Sequence, residues 1–167
     1  MAEAISNTSP LFYLQQAGAL DWLARLFSDV WIPGAVVQEL AAGKRQGCDV
    51  PDLKACPWAR VRDPQRLPSE WLALDLGPGE LSALALALEH PQRIVLLDDS
   101  LARRIAQSAG LNTWGTLRVL LEGKKSGLAP QIAPLVDKLE NSGMWISAEL
   151  RRRILALAGE SNASGGR

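Results

Sequence analysis

Three short stretches bring oxygen-bearing side chains to the edges of apolar runs: Ala4-Ile5-Ser6-Asn7-Thr8-Ser9-Pro10, Leu76-Gly77-Pro78-Gly79-Glu80, and Ile94-Val95-Leu96-Leu97-Asp98-Asp99-Ser100. Glu39 adds a further carboxylate. Buried parallel strands are apolar nearly throughout, so polar groups concentrated where strands stop mark the place where an open α/β sheet puts its site. Hard divalent cations take several oxygen ligands, and no single one of these segments supplies enough, so convergence of several is required. The chemistry such a cluster runs most often is metal-assisted phosphoryl transfer.

Each of these residues also has a plain structural reading. Asn7 and Thr8 suit the cap of a helix that starts near Pro10. Glu39 suits a solvated helix face, and Glu80 the positive end of a helix dipole. Asp98 and Asp99 are harder to absorb. One of them can cap the helix that follows, but adjacent carboxylates repel, and the pair is favoured where cations or donors offset that cost. Arg103 and Arg104 lie about one turn beyond Asp99 and, like Lys44-Arg45, Lys124-Lys125 and Arg151-Arg152-Arg153, serve either as phosphate contacts or as ordinary surface charge. The sole histidine, His90, stands at a helix end beside Pro91. With one histidine and no serine elbow, a hydrolase triad has no support. The six tryptophans read as core or interface anchors, with Trp22 and Trp31 as candidates for a dimer face.

Short strands alternating with helices must position these groups. A strand over 3–6 is followed by a helix entered at Pro10 and stopped at Gly18. Leu20, Leu23, Leu26 and Phe27 recur at helical spacing, and Val30 to Ile32 makes a brief strand closed by Pro33. A helix over 35–42, with Val36, Val37 and Leu40 inward, is expected to end at Gly43. The signal weakens from Lys44 to Arg66, where an edge strand over 58–62 is the clearest feature. Gly77-Pro78-Gly79-Glu80 opens a helix whose Leu and Ala run to Leu88 is buried nearly all round. A strand over 93–97, a helix over 100–109 stopped by Gly110, a strand over 111–114, and helices over 116–124, 129–141 and 147–157 complete the pattern. Short connections in this order imply parallel strands with helices on both faces. Asn7 then follows the first strand and Asp98-Asp99 the fourth.

Composition bounds the rest. The 167 residues fit one domain over 1–158, with 159–167 read as a disordered tail. Eighteen basic and eighteen acidic side chains give a net charge of zero, which argues against a protein that coats duplex nucleic acid through a broad basic face. It leaves room for an acidic pocket with a basic rim. The longest uncharged apolar stretch, over 81–88, is too short to span a bilayer, and the N-terminus shows no leader pattern, so a cytoplasmic protein is expected. Cys48 and Cys56 do not form a zinc pattern and read as reduced thiols.

Taken in order, Ser6-Asn7-Thr8-Ser9-Pro10-Leu11, Ile32-Pro33 leading to Val37-Gln38-Glu39-Leu40, Gly77-Pro78-Gly79-Glu80, Leu97-Asp98-Asp99 with Ala102-Arg103, and Gly115-Thr116-Leu117 resemble the PIN-domain family. The likeness spans about residues 4 to 158 and is strongest to a bacterial branch related to VapC-type toxins. It implies a three-layer α/β/α fold with a central parallel sheet and a helical C-terminus. It also implies a Mg²⁺- or Mn²⁺-dependent ribonuclease acting on single-stranded RNA, a homodimer, and a small antitoxin partner. Residue by residue, the family's first aspartate falls on Asn7, its helix glutamate on Glu39 and its third acid on Glu80. The strand-end aspartate falls on Asp99, with Asp98 as the competing choice, and the last hydroxyl on Thr116. The implied metal set is Asn7, Glu39, Glu80 and Asp98 or Asp99. Thr8 and Thr116 would position water or phosphate, and Arg103 would contact substrate. Asn7 departs from the family pattern, and its neutral amide should hold a cation more weakly than a carboxylate.

Two rival classes follow from the same residues. A PIN-like binding or interaction module would keep the pocket with little turnover, and Asn7 favours it. A doubly wound nucleotide or flavin binder is disfavoured because no glycine-rich phosphate loop follows the first strand.

Overall fold

A computed structural model describes residues 1–67, 69–70 and 75–161. Five parallel strands form one sheet in the order β3-β2-β1-β4-β5. They are β1 (Ala2–Ser6), β2 (Phe27–Ile32), β3 (Ala59–Val61), β4 (Ile94–Leu96) and β5 (Thr113–Trp114). The helices are α1 (Thr8–Gln16), α2 (Trp22–Leu26), α3 (Gly34–Arg45), α4 (Pro78–Glu89), α5 (Ser100–Ser108), α6 (Thr116–Lys125), α7 (Ala133–Asn141) and α8 (Ala148–Leu157).

Side chains alternate across the sheet as strand geometry demands, so β1 and β4 feed two cores. Ala4, Ile94 and Leu96 join Leu11, Leu14, Val36 and the C-terminal helices on one face. Ile5, Val95 and Leu97 join α4 and α5 on the other. The three-layer α/β/α architecture is the expected one, including β3 at the sheet edge. Leu81 through Ala87 are buried, which is why α4 reads as apolar on nearly every side.

Several boundaries differ from the sequence reading, each for a physical reason. Phe27 belongs to β2 and not to the preceding helix, because its backbone pairs in register with Ala2 and its ring stacks toward Trp114. Gly43 does not end α3. The helix runs on to Arg45, and the turn comes at Gly47, whose φ of +88° is costly for other residues. Four residues expected in α7, Ala129 to Ile132, precede it. Its start is set by the Glu160 carboxylate, which accepts from the Ile132 N–H at 2.9 Å and the Ala133 N–H at 3.0 Å. The described residues reach 161, three residues into the stretch expected as a tail, and 162–167 lie outside them. Trp22 packs over Gly123, and Trp31 lies under the Arg93 guanidinium, 3.4 Å from its ring centre, so both indoles are engaged within the domain. Among the described residues, the tryptophan that stands out into solvent is Trp145, 86% exposed.

Candidate active site

The strand order turns at the β1/β4 pair: β2 and β3 lie to one side and β5 to the other. Open sheets bind ligands outside the carboxyl ends of strands at such a switch point. Asn7 leaves β1 there, its N–H still donating to the Leu96 carbonyl at 3.1 Å, and Asp98 and Asp99 leave β4 beside it.

Asn7 occupies the N-cap position of α1, but its side chain makes no capping bond. The residue is 3% exposed, and its Oδ1 is buried with no hydrogen-bond donor. An amide oxygen left so costs about 1–3 kcal/mol, a cost that points to an absent electrophile or donor rather than to a structural cap. Thr8 Oγ1 donates to Glu39 Oε1 at 3.3 Å, tying the first turn of α1 to α3. The second residue of α4 completes the arrangement. A Cβ at Gly79 would collide with Glu39 Oε1 and come within 3.0 Å of Asn7 Oδ1. Glycine here lets the α4 backbone close over both oxygens and brings Glu80 to the same end of the sheet.

Glu80 is half-buried, and its pKa is raised from 4.5 by burial first, then by the charges of Asp99, Glu39 and Asp75, against an opposing hydrogen bond from the Gly77 backbone. Asp99 and Glu39 thus lie close enough to Glu80 to add to the effect of its burial.

The adjacent aspartates divide their roles. Asp99 is the N-cap of α5, its Oδ1 accepting from the Ala102 N–H at 2.8 Å, and it remains exposed toward Glu80. Asp98 turns the other way. Its Oδ1 accepts from the Thr116 N–H at 2.8 Å and its Oδ2 from the Thr116 hydroxyl at 2.7 Å. Burial raises its pKa, opposed by those two bonds and by the Arg103 guanidinium. Both Asp98 oxygens thus accept from Thr116, while the residue still lines the pocket beside Asp99. Thr116 is buried at the pocket wall and its hydroxyl donates to Asp98 Oδ2, so it braces the strand end from within the pocket lining. Arg103 lines the pocket as expected, with its Nε buried and without an acceptor.

A hollow of about 350 Å³ opens above these groups, lined by Glu80, Asp98, Asp99 and Arg103 together with Tyr13 and Trp145. Burial and the neighbouring Asp98 charge push the Tyr13 phenol upward, keeping it a neutral donor. Tyr13, Gly79 and Trp145 were not singled out as site residues. Gly79 lay within a quoted motif, but nothing local reveals that its missing Cβ faces Glu39.

Among the described residues, no three His, Cys, Asp or Glu side chains converge at metal-ligating spacing. The donors nevertheless fit a hard divalent cation in kind. They are oxygens, one is a buried amide oxygen without a donor, and the α4 backbone makes room for two of them. A looser set of this type suits a cation that keeps several of its waters.

Comparison with known proteins adds to this geometry. A solved PilT N-terminus domain protein from the hyperthermophilic archaeon Sulfolobus solfataricus superposes with a TM-score of 0.50, covering 72% of this chain and 92% of that one at 15% identity. At that identity the likeness concerns the fold. No curated protein matches the chain. A PIN-domain family model matches residues 3–160, which takes in all of β1 but its first residue and every candidate site residue. PIN domains are nuclease-type folds whose members are generally hydrolases using divalent metals, in keeping with an all-oxygen site at the sheet's switch point. By its strand order, its site and this match, the chain belongs to the PIN-domain family.

Proposed function

We propose that the chain is a metal-dependent endoribonuclease acting on single-stranded RNA, the toxin component of a toxin–antitoxin pair. The observation that carries this reading is the buried, donor-free Asn7 Oδ1 beside Glu39, at the strand ends where Glu80 and Asp99 repel one another. Asn7, Glu39, Glu80 and Asp99 would hold the cation directly or through its waters. Bound Mg²⁺ or Mn²⁺ supplies charge neutralisation at the scissile phosphate and an activated water.

The protein's own groups do the positioning. Thr8 fixes the Glu39 carboxylate. Thr116 holds Asp98 so that the β4 end keeps its direction, and the α5 N-terminus holds Asp99. Arg103, charged and lacking an acceptor at Nε, faces the phosphate. On this reading the protein acts in the cytoplasm, as a homodimer restrained by a small antitoxin. Among the described residues no helix is long and apolar enough to cross a membrane.

A second reading keeps the pocket but not the turnover: a binding or interaction module, favoured by the neutral Asn7 where the family pattern has a carboxylate. Cleavage of a mixed single-stranded RNA pool, with Mn²⁺, with Mg²⁺ and with chelator, separates the two. Wild type should cleave only with metal. Asp99→Asn should lose about 10²–10³-fold in rate, a magnitude typical of removing one charge-stabilising group. Its fold should survive, since asparagine caps a helix as well as aspartate does. A folded wild type that cleaves under no condition would favour the binding module.

A further inference from the structure

The hollow over the acidic site does not end at Arg103. A second hollow of about 500 Å³ runs between α6 and α8 and shares Arg103, Gly115, Leu117 and Leu150 with the first. The two form one groove with a carboxylate floor at one end and a basic wall at the other.

Charge along that wall is uneven. Arg118 and Lys125 both lean on a single acid, Glu122, at 3.6 Å each, and remain more than half exposed. Arg153 is exposed and has no ion pair among the described residues, and neither has Arg103. Three cations, Arg118, Lys125 and Arg153, thus meet one anion along this wall, while Arg103 stands beside Asp98 where the two hollows join. Arg118 is steadied over the Trp114 ring at 5.0 Å. Between the cations run Leu117, Leu121 and the 39%-exposed Leu150.

At the mouth stands Trp145, 86% exposed. Its place is fixed on both sides. The Met144 N–H donates to the Leu139 carbonyl at 3.0 Å, Ile146 is buried, and Ser147 caps α8 through the Leu150 N–H. A large aromatic held in water beside an acidic centre, and continuous with a basic, partly apolar trough, matches how unpaired nucleic acid is bound: bases stack while cations track the backbone.

We propose that the α6–α8 groove is the track that feeds single-stranded nucleic acid into the acidic pocket. Trp145 stacks one base at the mouth, and Arg118 and Arg153 take phosphates on the side away from Glu39. This rests on the nuclease reading and adds a footprint to it: the enzyme grips several nucleotides to one side of the scissile bond.

The test is fluorescence anisotropy of a labelled oligouridylate of about twelve nucleotides, with chelator present so that binding is read without turnover. Trp145→Ala should weaken binding about tenfold, and Trp145→Phe should restore most of it, because stacking needs a ring and not an indole. Arg118→Ala with Arg153→Ala should lower the slope of log affinity against log salt by about 1.4, the value for two lost single-strand phosphate contacts. Wild-type affinity and salt slope in these variants would overturn the proposal. So would a wild type that binds no oligonucleotide, or a dimer that Trp145→Ala converts to monomer with binding unchanged, which would make the groove a self-association face. Binding with the expected sensitivities but no metal-dependent cleavage would keep the track and sink the nuclease reading. Cleavage lost in Asp99→Asn but indifferent to Trp145 and the arginines would do the reverse.

Discussion

The two ends of the sheet handle charge in opposite ways. At the N-terminal end, Arg93 is 4% exposed and fully committed in sign: it pairs with Asp29 at 2.9 Å and Glu3 at 3.3 Å, donates to the Ala4 carbonyl at 3.3 Å and stacks on Trp31. His90 meets the same indole edge-on at 4.7 Å. At the C-terminal end, Glu39, Glu80 and Asp99 face one another with the same sign, and a buried amide oxygen goes without a donor. At the end where strands begin the fold pairs opposite charges and, among the described residues, leaves only Arg93 Nε without an acceptor. The end that gathers charges of one sign is the one whose cost is kept for function.

If that contrast is right, substitutions at the two ends should fail in different ways. The largest stability effect should come from Arg93→Met. It leaves Asp29, only 19% exposed, with the Trp31 indole N–H at 3.1 Å and the more distant Arg60 at 3.7 Å. Breaking such a pair costs about 3–5 kcal/mol, and urea denaturation should show that loss while residual folded protein keeps its metal response. A cost under about 1 kcal/mol would mean the lock is decorative.

Gly79→Ala should show the converse pattern. The new Cβ meets the far end of a flexible side chain, Glu39, so the stability cost should stay near 1 kcal/mol while the carboxylate is driven from its place. Divalent-cation binding should weaken by about 10–100-fold, as it does when a supporting contact is lost. Equal losses in both properties would place Gly79 in the core and not at the site.

Glu80→Gln gives the smallest and most diagnostic effect. Folding raises the proton affinity of Glu80 above the ordinary 4.5. Above that value the native state holds more protons than the unfolded one, so this group's contribution falls as pH rises through the folded pKa, and the penalty is complete above it. In chelator, Glu80→Gln should therefore melt higher than wild type near pH 7.5 and close to it near pH 4. The reverse trend would show Glu80 stabilised by a cationic partner.

What the sequence revealed follows the reach of each interaction. The Asn7, Gly77-Pro78-Gly79-Glu80 and Asp98-Asp99 segments were legible because strand ends and helix starts are local patterns, and the parallel order followed from alternation alone. Three features were not legible because their cause lies far along the chain. Glu160 starts α7 from 28 residues away, Thr116 claims Asp98 from 18 residues away, and the crowding at Gly79 comes from Glu39 and Asn7. Which of two neighbouring aspartates Thr116 holds depends on side-chain direction, which spacing does not encode. Trp145 looked like an anchor because tryptophan is usually buried; only the pinned loop around it keeps it in water.

The account stands or falls on whether the unsatisfied end binds a divalent cation through Asn7. Calorimetric titration of Mn²⁺ into wild type and Asn7→Asp tests it most directly. Saturable binding that tightens at least about tenfold when the amide becomes a carboxylate is the expected result. Identical affinities, or no binding by either folded protein, would remove Asn7 from the metal's reach and contradict the functional reading of this end of the sheet.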